Sequence, residues 1–307
     1  MTKTAPKIYL NSYNYRGYPL ERALRKAQEY GYDGVDLWAG HYDVETVEQT
    51  LRDALPVAAR LGLTIPVLNL SGNVIGDDDA ERQMRVRRLC EIVEHCAGLG
   101  VTLINGYAGS IIVDRTDWGK NGSAATTADH YARAAAAYQE LGAVAVRVGV
   151  SLTLEVHMNT IHDTAASTLR LLDQIGSPSV GANIDPGNMY GTRTAEPALE
   201  GIALLAGRIT FAHIKNVRRA LGLPGEADYH WDLAHGDLDY FAIVQALLRA
   251  GFRGPYSIEY SGAGDRSVPS KADVAYLRDV LNEVAADEER ASAATTSAGN
   301  SHHQEPL

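Results

Sequence analysis

The sequence predicts an α/β protein, a single (β/α)8 barrel of eight parallel strands alternating with helices. Its 307 residues suit one such barrel, which typically needs about 250 residues, as well as they suit two average domains. A helical stretch that ends in Gly and passes within a few residues into a short apolar run recurs seven times. No Gly-x-Gly-x-x-Gly fingerprint follows the first strand, so an open doubly wound sheet lacks its usual support.

The first strand is read at Ile8–Asn11. The helix-to-strand junctions then fall at Gly31, Gly62, Gly100, Gly149, Gly176, Gly207 and Gly251. Gly after the last helical residue takes the left-handed conformation that closes a helix and lets the chain turn into a strand. One opening strand and seven junctions make eight strands. Helices are expected at Leu20–Tyr30, Asp77–Leu99, Thr126–Leu141, Thr164–Ile175, Pro197–Ala206, Tyr240–Ala250 and Ala272–Ala286. In the Tyr240 segment, Phe241, Val244 and Leu248 form one apolar stripe, with Tyr240, Ile243 and Leu247 beside it. Strands alternating with helices imply a parallel sheet. The barrel domain is expected over residues 1–286. From Asp287 the chain loses its apolar face, so 287–307 reads as a disordered tail. His302 and His303 within it are too few to mark a metal site.

Composition narrows the class. With 45% hydrophobic and 21% charged residues, the chain is neither disordered nor collagen-like. A net charge of −10 argues against a protein that tracks nucleic-acid backbone, which needs a basic patch. No run of about eighteen apolar residues is present to span a membrane, and the start carries no signal-peptide core. The two cysteines, Cys90 and Cys96, form no disulfide framework and read as small core residues of a reducing compartment. The expected location is cytoplasmic.

In a barrel, function collects at the C-terminal ends of the strands. Alternation puts Thr153, Glu155 and His157 on one face of the fifth strand, and Asn183 and Asp185 on one face of the sixth. Phe211, His213 and Lys215 share a face of the seventh, and Ser257 and Glu259 share a face of the eighth. Four consecutive strands thus end in Glu155, Asp185, His213 and Glu259, all aimed at the mouth. Burying three carboxylates together is costly without a cation. Three carboxylates and one imidazole suit a divalent ion, Mn2+ first, with Mg2+, Co2+ or Zn2+ as alternatives.

The motifs Leu154-Glu155-Val156-His157, Asn183-Ile184-Asp185-Pro186-Gly187-Asn188, His213-Ile214-Lys215 and Gly254-Pro255-Tyr256-Ser257-Ile258-Glu259 resemble those of the xylose-isomerase-like barrel superfamily. This group of sugar isomerases and epimerases includes ketose 3-epimerases, C-glycoside deglycosidase alpha subunits and endonuclease-IV-like enzymes. The resemblance covers Ile8 to Ala286. It implies that Glu155, Asp185, His213 and Glu259 are the metal ligands and that the two glutamates form the acid/base pair. It also implies that Arg218, five residues beyond His213, binds substrate, and Lys215 is taken with it as a substrate contact. Two positions depart from the epimerase pattern. Asn188 stands where a substrate-binding His is common, and His157 lies directly beyond the fifth-strand Glu. His157 either orients groups of the mouth or acts as a base. The repair endonucleases need histidines at the third and fourth strand ends, where this chain has Asn69 and Asn105.

Aromatic side chains complete the expected pocket, since their faces pack against sugar C–H groups or planar aglycones. They are Trp38 and His41 after the second strand, Tyr107 and Trp118 after the fourth, and Tyr13, Tyr15 and Tyr18 in the first loop. His95 and His130 fall on helices and are assigned to structure or solvent, whereas His230 and His235 lie in a long seventh loop within reach of substrate.

The function that follows is proton abstraction next to a carbonyl of a sugar, keto-sugar or cyclitol, in an isomerase or epimerase. The alternative is a lyase that cleaves 3-oxo-glycosides by elimination, like the deglycosidase alpha subunits, with His157 as base. A dehydratase of an inosose or dehydroshikimate comes third. Expected partners are a small carbohydrate or glycoside, further copies of the chain, or a small second subunit.

Overall fold

The computed structural model describes residues 5–70, 72–191, 196–219 and 227–300, with the side chains of Trp118 and 291–300 excepted. The strands are β1 (Ile8–Asn11), β2 (Gly34–Leu37), β3 (Val67–Asn69), β4 (Leu103–Gly106), β5 (Ser151–Glu155), β6 (Val180–Ile184), β7 (Ile209–Ile214), β8 (Asn216–Arg219), β9 (Ala227–Trp231) and β10 (Tyr256–Ile258). Eight of them close into a barrel in the order β1-β10-β7-β6-β5-β4-β3-β2. Its pairings are all parallel. The expected single barrel is therefore the observed one, with β10 as its eighth strand.

The seven junction glycines all have positive φ, between 65° at Gly176 and 89° at Gly100. At Gly176 the backbone N–H donates to the Leu172 carbonyl in a left-handed cap, a conformation that costs a residue with a Cβ about 1 kcal/mol.

The helices are α1 (Leu20–Tyr30), α2 (Val47–Arg60), α3 (Asp79–Ala97), α4 (Ala128–Val148), α5 (Ala165–Ile175), α6 (Pro186–Gly191), α7 (Ala198–Leu204), α8 (Tyr240–Arg249) and α9 (Ser267–Asn300). Three differences from the expected set have local causes. Helices α2 and the short α6 are additional, and Pro56 inside α2 interrupts the usual helical signal there. The long seventh loop holds the antiparallel hairpin β8–β9. Helix α9 runs beyond Asp287 to Asn300, because Ala-rich sequence favours helix even without an apolar face. Residues 301–307, the rest of the expected tail with His302 and His303, lie outside the described residues. On α8 the buried stripe is Tyr240, Ile243, Val244 and Leu247. Cys96 is buried and Cys90 half-buried. Among the described residues no helix is long and apolar enough to cross a membrane.

The inside of the barrel is layered. Val67, Leu103 and Phe211, with Tyr9 against them, form a small apolar floor separate from the main core under the helices. Two residues further along these strands stand Asn11, Asn69, Asn105 and His213, so the interior above that floor is polar. The loops after β4 and β5 are stapled together above this layer. Ile111 N–H donates to Asn159 O at 2.9 Å and Ile161 N–H to Gly109 O at 3.0 Å. Asn159 adopts φ 65°, a left-handed value that Asn tolerates.

His162 completes this staple. It is fully buried, and its Nε2 accepts from Ala108 N–H at 3.1 Å, so the proton sits on Nδ1, facing Thr160 Oγ1 at 3.4 Å. Burial pushes its pKa down from 6.5 to about 4, with nearby His157 adding to the effect. The unfolded chain binds this proton more readily than the folded one. The stability linked to neutral His162 is thus complete above pH 6.5 and is lost as pH falls towards 4. The difference amounts to about 3 kcal/mol. Urea unfolding of His162→Gln at pH 7 and pH 4 is expected to show a flatter pH dependence than the native chain by about that amount. Equal slopes would show that His162 is not the titrating group.

Candidate metal centre

Four consecutive barrel strands deliver the centre. Glu155 is the last residue of β5, Asp185 follows β6, His213 lies near the end of β7, and Glu259 follows β10. One ligand atom from each lies within 4.8 Å of the other three. Glu155, Asp185 and His213 are buried, and Glu259 nearly so. His213 Nδ1 is 3.3 Å from Glu155 Oε2 and 3.7 Å from Glu259 Oε2.

The chemistry of this donor set fits a divalent cation. His213 Nε2 faces Asp36 Oδ2 at 3.1 Å. Because a carboxylate only accepts, Nε2 carries a proton and Nδ1 is free to offer a lone pair. Nδ1 is buried and has no hydrogen-bond partner among the described residues. Glu155 Oε2 stands 3.3 Å from it without the alignment of a hydrogen bond, and a divalent ion among these carboxylates would satisfy that nitrogen.

Lys215 supplies a positive charge within the same group. Its Nζ is 3.0 Å from Asp185 Oδ2 and 2.9 Å from Glu259 Oε1. Burial alone would lower the Lys215 pKa, but Asp185, Glu259 and Glu155 hold it well above the ordinary value. Burial would raise both glutamates. The charges of His213 at Glu155, and of Lys215 and His213 at Glu259, reverse this and lower them. Asp185 is raised, by burial first and by Glu155 and Glu259 further, against the pull of Lys215. Four buried carboxylates, with Asp36 among them, thus face one lysine and one histidine, a balance that still calls for positive charge.

The cavity above this group holds about 310 Å3, the lower range for a small-molecule site. Of the expected site residues, Tyr13, Trp38, Tyr107, Glu155, His157, Asn188, His213, Lys215 and Glu259 line it. Asn188 Nδ2 donates to Asp185 Oδ2 at 2.9 Å and to Glu155 Oε1 at 3.1 Å, so it ties two expected ligands together. Tyr107 packs against the His157 ring at 4.8 Å. Burial and the charges of Glu155 and Glu259 hold its phenol well above pKa 10.

Two expected substrate contacts lie elsewhere. His41 is behind Trp38, with its Nε2 3.0 Å from Ser12 O, and burial lowers its pKa. Arg218 lies over the Trp231 ring at 3.7 Å and donates to His235 O, and it is not among the described residues that line the cavity. His95 meets Glu48 on the outer surface, and His130 caps α4 through Thr127. His230 and His235 pair with Asp228 and Asp232.

Asp36, Asn11, Met158, Tyr229 and Ser261 were not singled out by sequence. Asn11, Tyr229, Met158 and Ser261 line the cavity. Asp36 had a signal, an acid flanked by Val35 and Leu37 on a buried strand, which alternation turns inward.

Fold and site together define a (β/α)8 barrel with a carboxylate–imidazole centre for a divalent cation in its mouth. The chain belongs to the xylose isomerase-like TIM barrel family, whose sequence profile matches residues 24–281. It is similar to fructoselysine 3-epimerase of Escherichia coli O157:H7, with 23% identity over 260 residues, 78% of this chain and 85% of that protein. Among solved structures it resembles a xylose isomerase-like TIM barrel protein from Mycobacterium smegmatis in complex with magnesium. That match has a TM-score of 0.72 and 20% identity, and covers 92% of this chain and 98% of the other. It also resembles L-ribulose 3-epimerase, with a TM-score of 0.72, 20% identity and coverage of 98% and 100%. At these identities the solved structures speak for the fold.

A proton and a metal ion compete for His213 Nδ1. Burial would lower the His213 pKa, but Glu155 and Asp36 raise it well above 6.5, so metal uptake releases a proton and tightens as pH rises. Calorimetric titration of the full chain with Mn2+, in two buffers of different ionisation enthalpy, is expected to show that release. Asp185→Asn is expected to weaken binding at least about tenfold, the usual minimum for losing support of a metal site. Absence of Mn2+ uptake by the native chain would remove the metal reading.

Proposed function

We propose that this protein is a divalent-metal-dependent isomerase or epimerase of a sugar, keto-sugar or cyclitol, working by proton abstraction next to a carbonyl. The observation that carries this reading is the pair Glu155 and Glu259 at the two ends of the four-strand arc β5-β6-β7-β10. Carboxylates so arranged bracket a small substrate and can handle its proton from two sides. The curated epimerase relative supports the same chemistry.

A divalent cation held by Glu155, Asp185, His213 and Glu259, with Mn2+ as the first candidate, supplies Lewis-acid polarisation of a substrate carbonyl. The protein's own groups do the remaining work. Both glutamates are held ionised by neighbouring cationic groups, so either can take a proton. Lys215 and Ser261 both donate to Glu259 Oε1, while Asn105 and Asn188 donate to Glu155, which fixes the direction of each carboxylate. Trp38 and Tyr107 offer aromatic walls to the C–H face of a sugar. Return of the proton to the same carbon on its other face gives epimerisation; return to the neighbouring carbon gives aldose–ketose isomerisation.

One observation supports the elimination reading. His157 Nδ1 lies 3.0 Å from the Met158 carbonyl, so the Nδ1–H donates and Nε2 is the basic nitrogen. From the cavity wall, Nε2 can take a proton from the carbon next to the carbonyl of a 3-oxo-glycoside. The electron pair left on that carbon forms the new double bond as the bond to the β-substituent breaks. The departing group then requires a proton, which a protonated acid of the mouth can give.

Proton exchange from solvent D2O, followed by NMR across ketoses, inososes and 3-oxo-glycosides, tests the common step. Incorporation of deuterium next to the carbonyl is expected. None on any of these classes would sink the proposal. Glu155→Gln and Glu259→Gln are expected to lower kcat at least about a hundredfold, as for loss of a positioned acid or base. His157→Ala decides between the branches: turnover close to native leaves the glutamates as the acid/base pair, whereas a comparable loss makes His157 the base.

A further inference from the structure

Asp36 is a carboxylate that touches the ligand group without belonging to it. It is completely buried at the end of β2. Oδ2 accepts from Asn11 Nδ2 at 3.1 Å, Ser257 Oγ at 2.7 Å and His213 Nε2 at 3.1 Å. Oδ1 accepts from Asn69 Nδ2. An ionised carboxylate has no donor, so each of these four groups must turn a donor towards it. An imidazole and two amides have two unlike ends. Fixing which end faces Asp36 also fixes what the other end presents.

Two arms follow from that constraint. In the first, His213 gives Nε2–H to Asp36, so Nδ1, 3.3 Å from Glu155 and 3.7 Å from Glu259, is the nitrogen that a metal ion would take once its proton is released. In the second, Asn69 gives Nδ2 to Asp36 and is left with Oδ1, which accepts from Asn105 Nδ2 at 2.7 Å. Asn105 Nδ2 then also donates to Glu155 Oε2 at 2.8 Å. Asn105 Oδ1 in turn accepts from Thr153 Oγ1 and Asn183 Nδ2, each at 3.0 Å. Every bond along this path agrees with an acceptor-only carboxylate at each end, Asp36 at one and Glu155 at the other.

We propose that Asp36 is a positioning residue for the metal centre, setting the tautomer of His213 and, through Asn69 and Asn105, the direction of the Glu155 carboxylate. This rests on the reading that Glu155, Asp185, His213 and Glu259 bind a divalent ion. A ligating imidazole usually gives its other N–H to a carboxylate or carbonyl, which fixes the ring and makes it a better ligand. Here one carboxylate serves two ligands at once. Asparagine at position 36 cannot replace it, because its amide group would turn a donor towards at least one of the four donors. The ring of His213 or the amide of Asn69 would then have to reverse.

The test is calorimetric titration of the full chain and its variants with Mn2+, together with 15N NMR of the histidine rings in the Zn2+-loaded protein. The native chain is expected to bind Mn2+ and to show His213 metal-bound at Nδ1 and protonated at Nε2. Asp36→Asn is expected to weaken Mn2+ binding by about 10- to 100-fold, the range for losing an outer partner of a ligand, and to lose that ring signature. Asn69→Ala cuts only the arm to Glu155. It is expected to weaken binding less and to keep the His213 signature, and it serves should Asp36→Asn fail to fold. The control is Asp273→Asn, the same change at a buried aspartate that accepts from Leu233 N–H away from the site. It should bind Mn2+ as the native chain does. Native affinity and ring signature in Asp36→Asn would overturn the proposal, as would native affinity in Asn69→Ala for its second arm. Failure of the native chain to bind Mn2+ would instead overturn the metal reading beneath it.

Discussion

Charge crowding in the barrel mouth is the constraint on which the rest of the site depends. Asp36, Glu155, Asp185 and Glu259 are drawn from four different strands into one buried volume, with Lys215 and His213 as the positive groups among them. Burial by itself would raise Glu155, Asp185 and Glu259 towards the neutral form. Glu155 and Glu259 instead stay ionised because His213 and Lys215 lie against them. Such an arrangement costs stability. A fold that only needed a filled interior would carry apolar side chains here, as it does one layer below at Val67, Leu103 and Phe211.

The barrel is what makes the crowding possible. Parallel strands in a closed sheet bring their ends to one rim, so residues far apart in sequence meet without a long loop. Asp36 meets Ser257 across 221 positions and His213 across 177. The apolar floor closes the mouth from below, the stapled loops after β4 and β5 wall one side, and the hairpin β8–β9 contributes Tyr229 on another. Rigidity of this kind suits a centre whose ligands must converge within a few ångströms before any ion arrives.

What was legible in the sequence was what depends on local rules. The junction glycines were legible because positive φ is a requirement on one residue. Glu155, Asp185, His213 and Glu259 were legible because alternation along a strand and the end of a strand are both short-range features. Helix α2 was hidden by Pro56. The hairpin was hidden because its strands are half-exposed or exposed over most of their length and carry no strong alternation. Arg218 was assigned by the family resemblance, which says nothing of the stacking of its guanidinium on Trp231.

Asp36 is the instructive omission, since it lay in a strand that was read correctly. Its meaning comes from four partners on β1, β3, β7 and β10, none within 24 positions of it. A lone aspartate in a short apolar run says only that something must satisfy it. In the folded barrel the satisfying groups are amides, a hydroxyl and an imidazole, every one of which could in principle face either way. The groups that cannot reverse are the carboxylates. Polarity in this layer therefore runs between Asp36 and Glu155, and the direction in which His213 and Glu155 present themselves to the mouth is a property of the closed barrel rather than of their own strands.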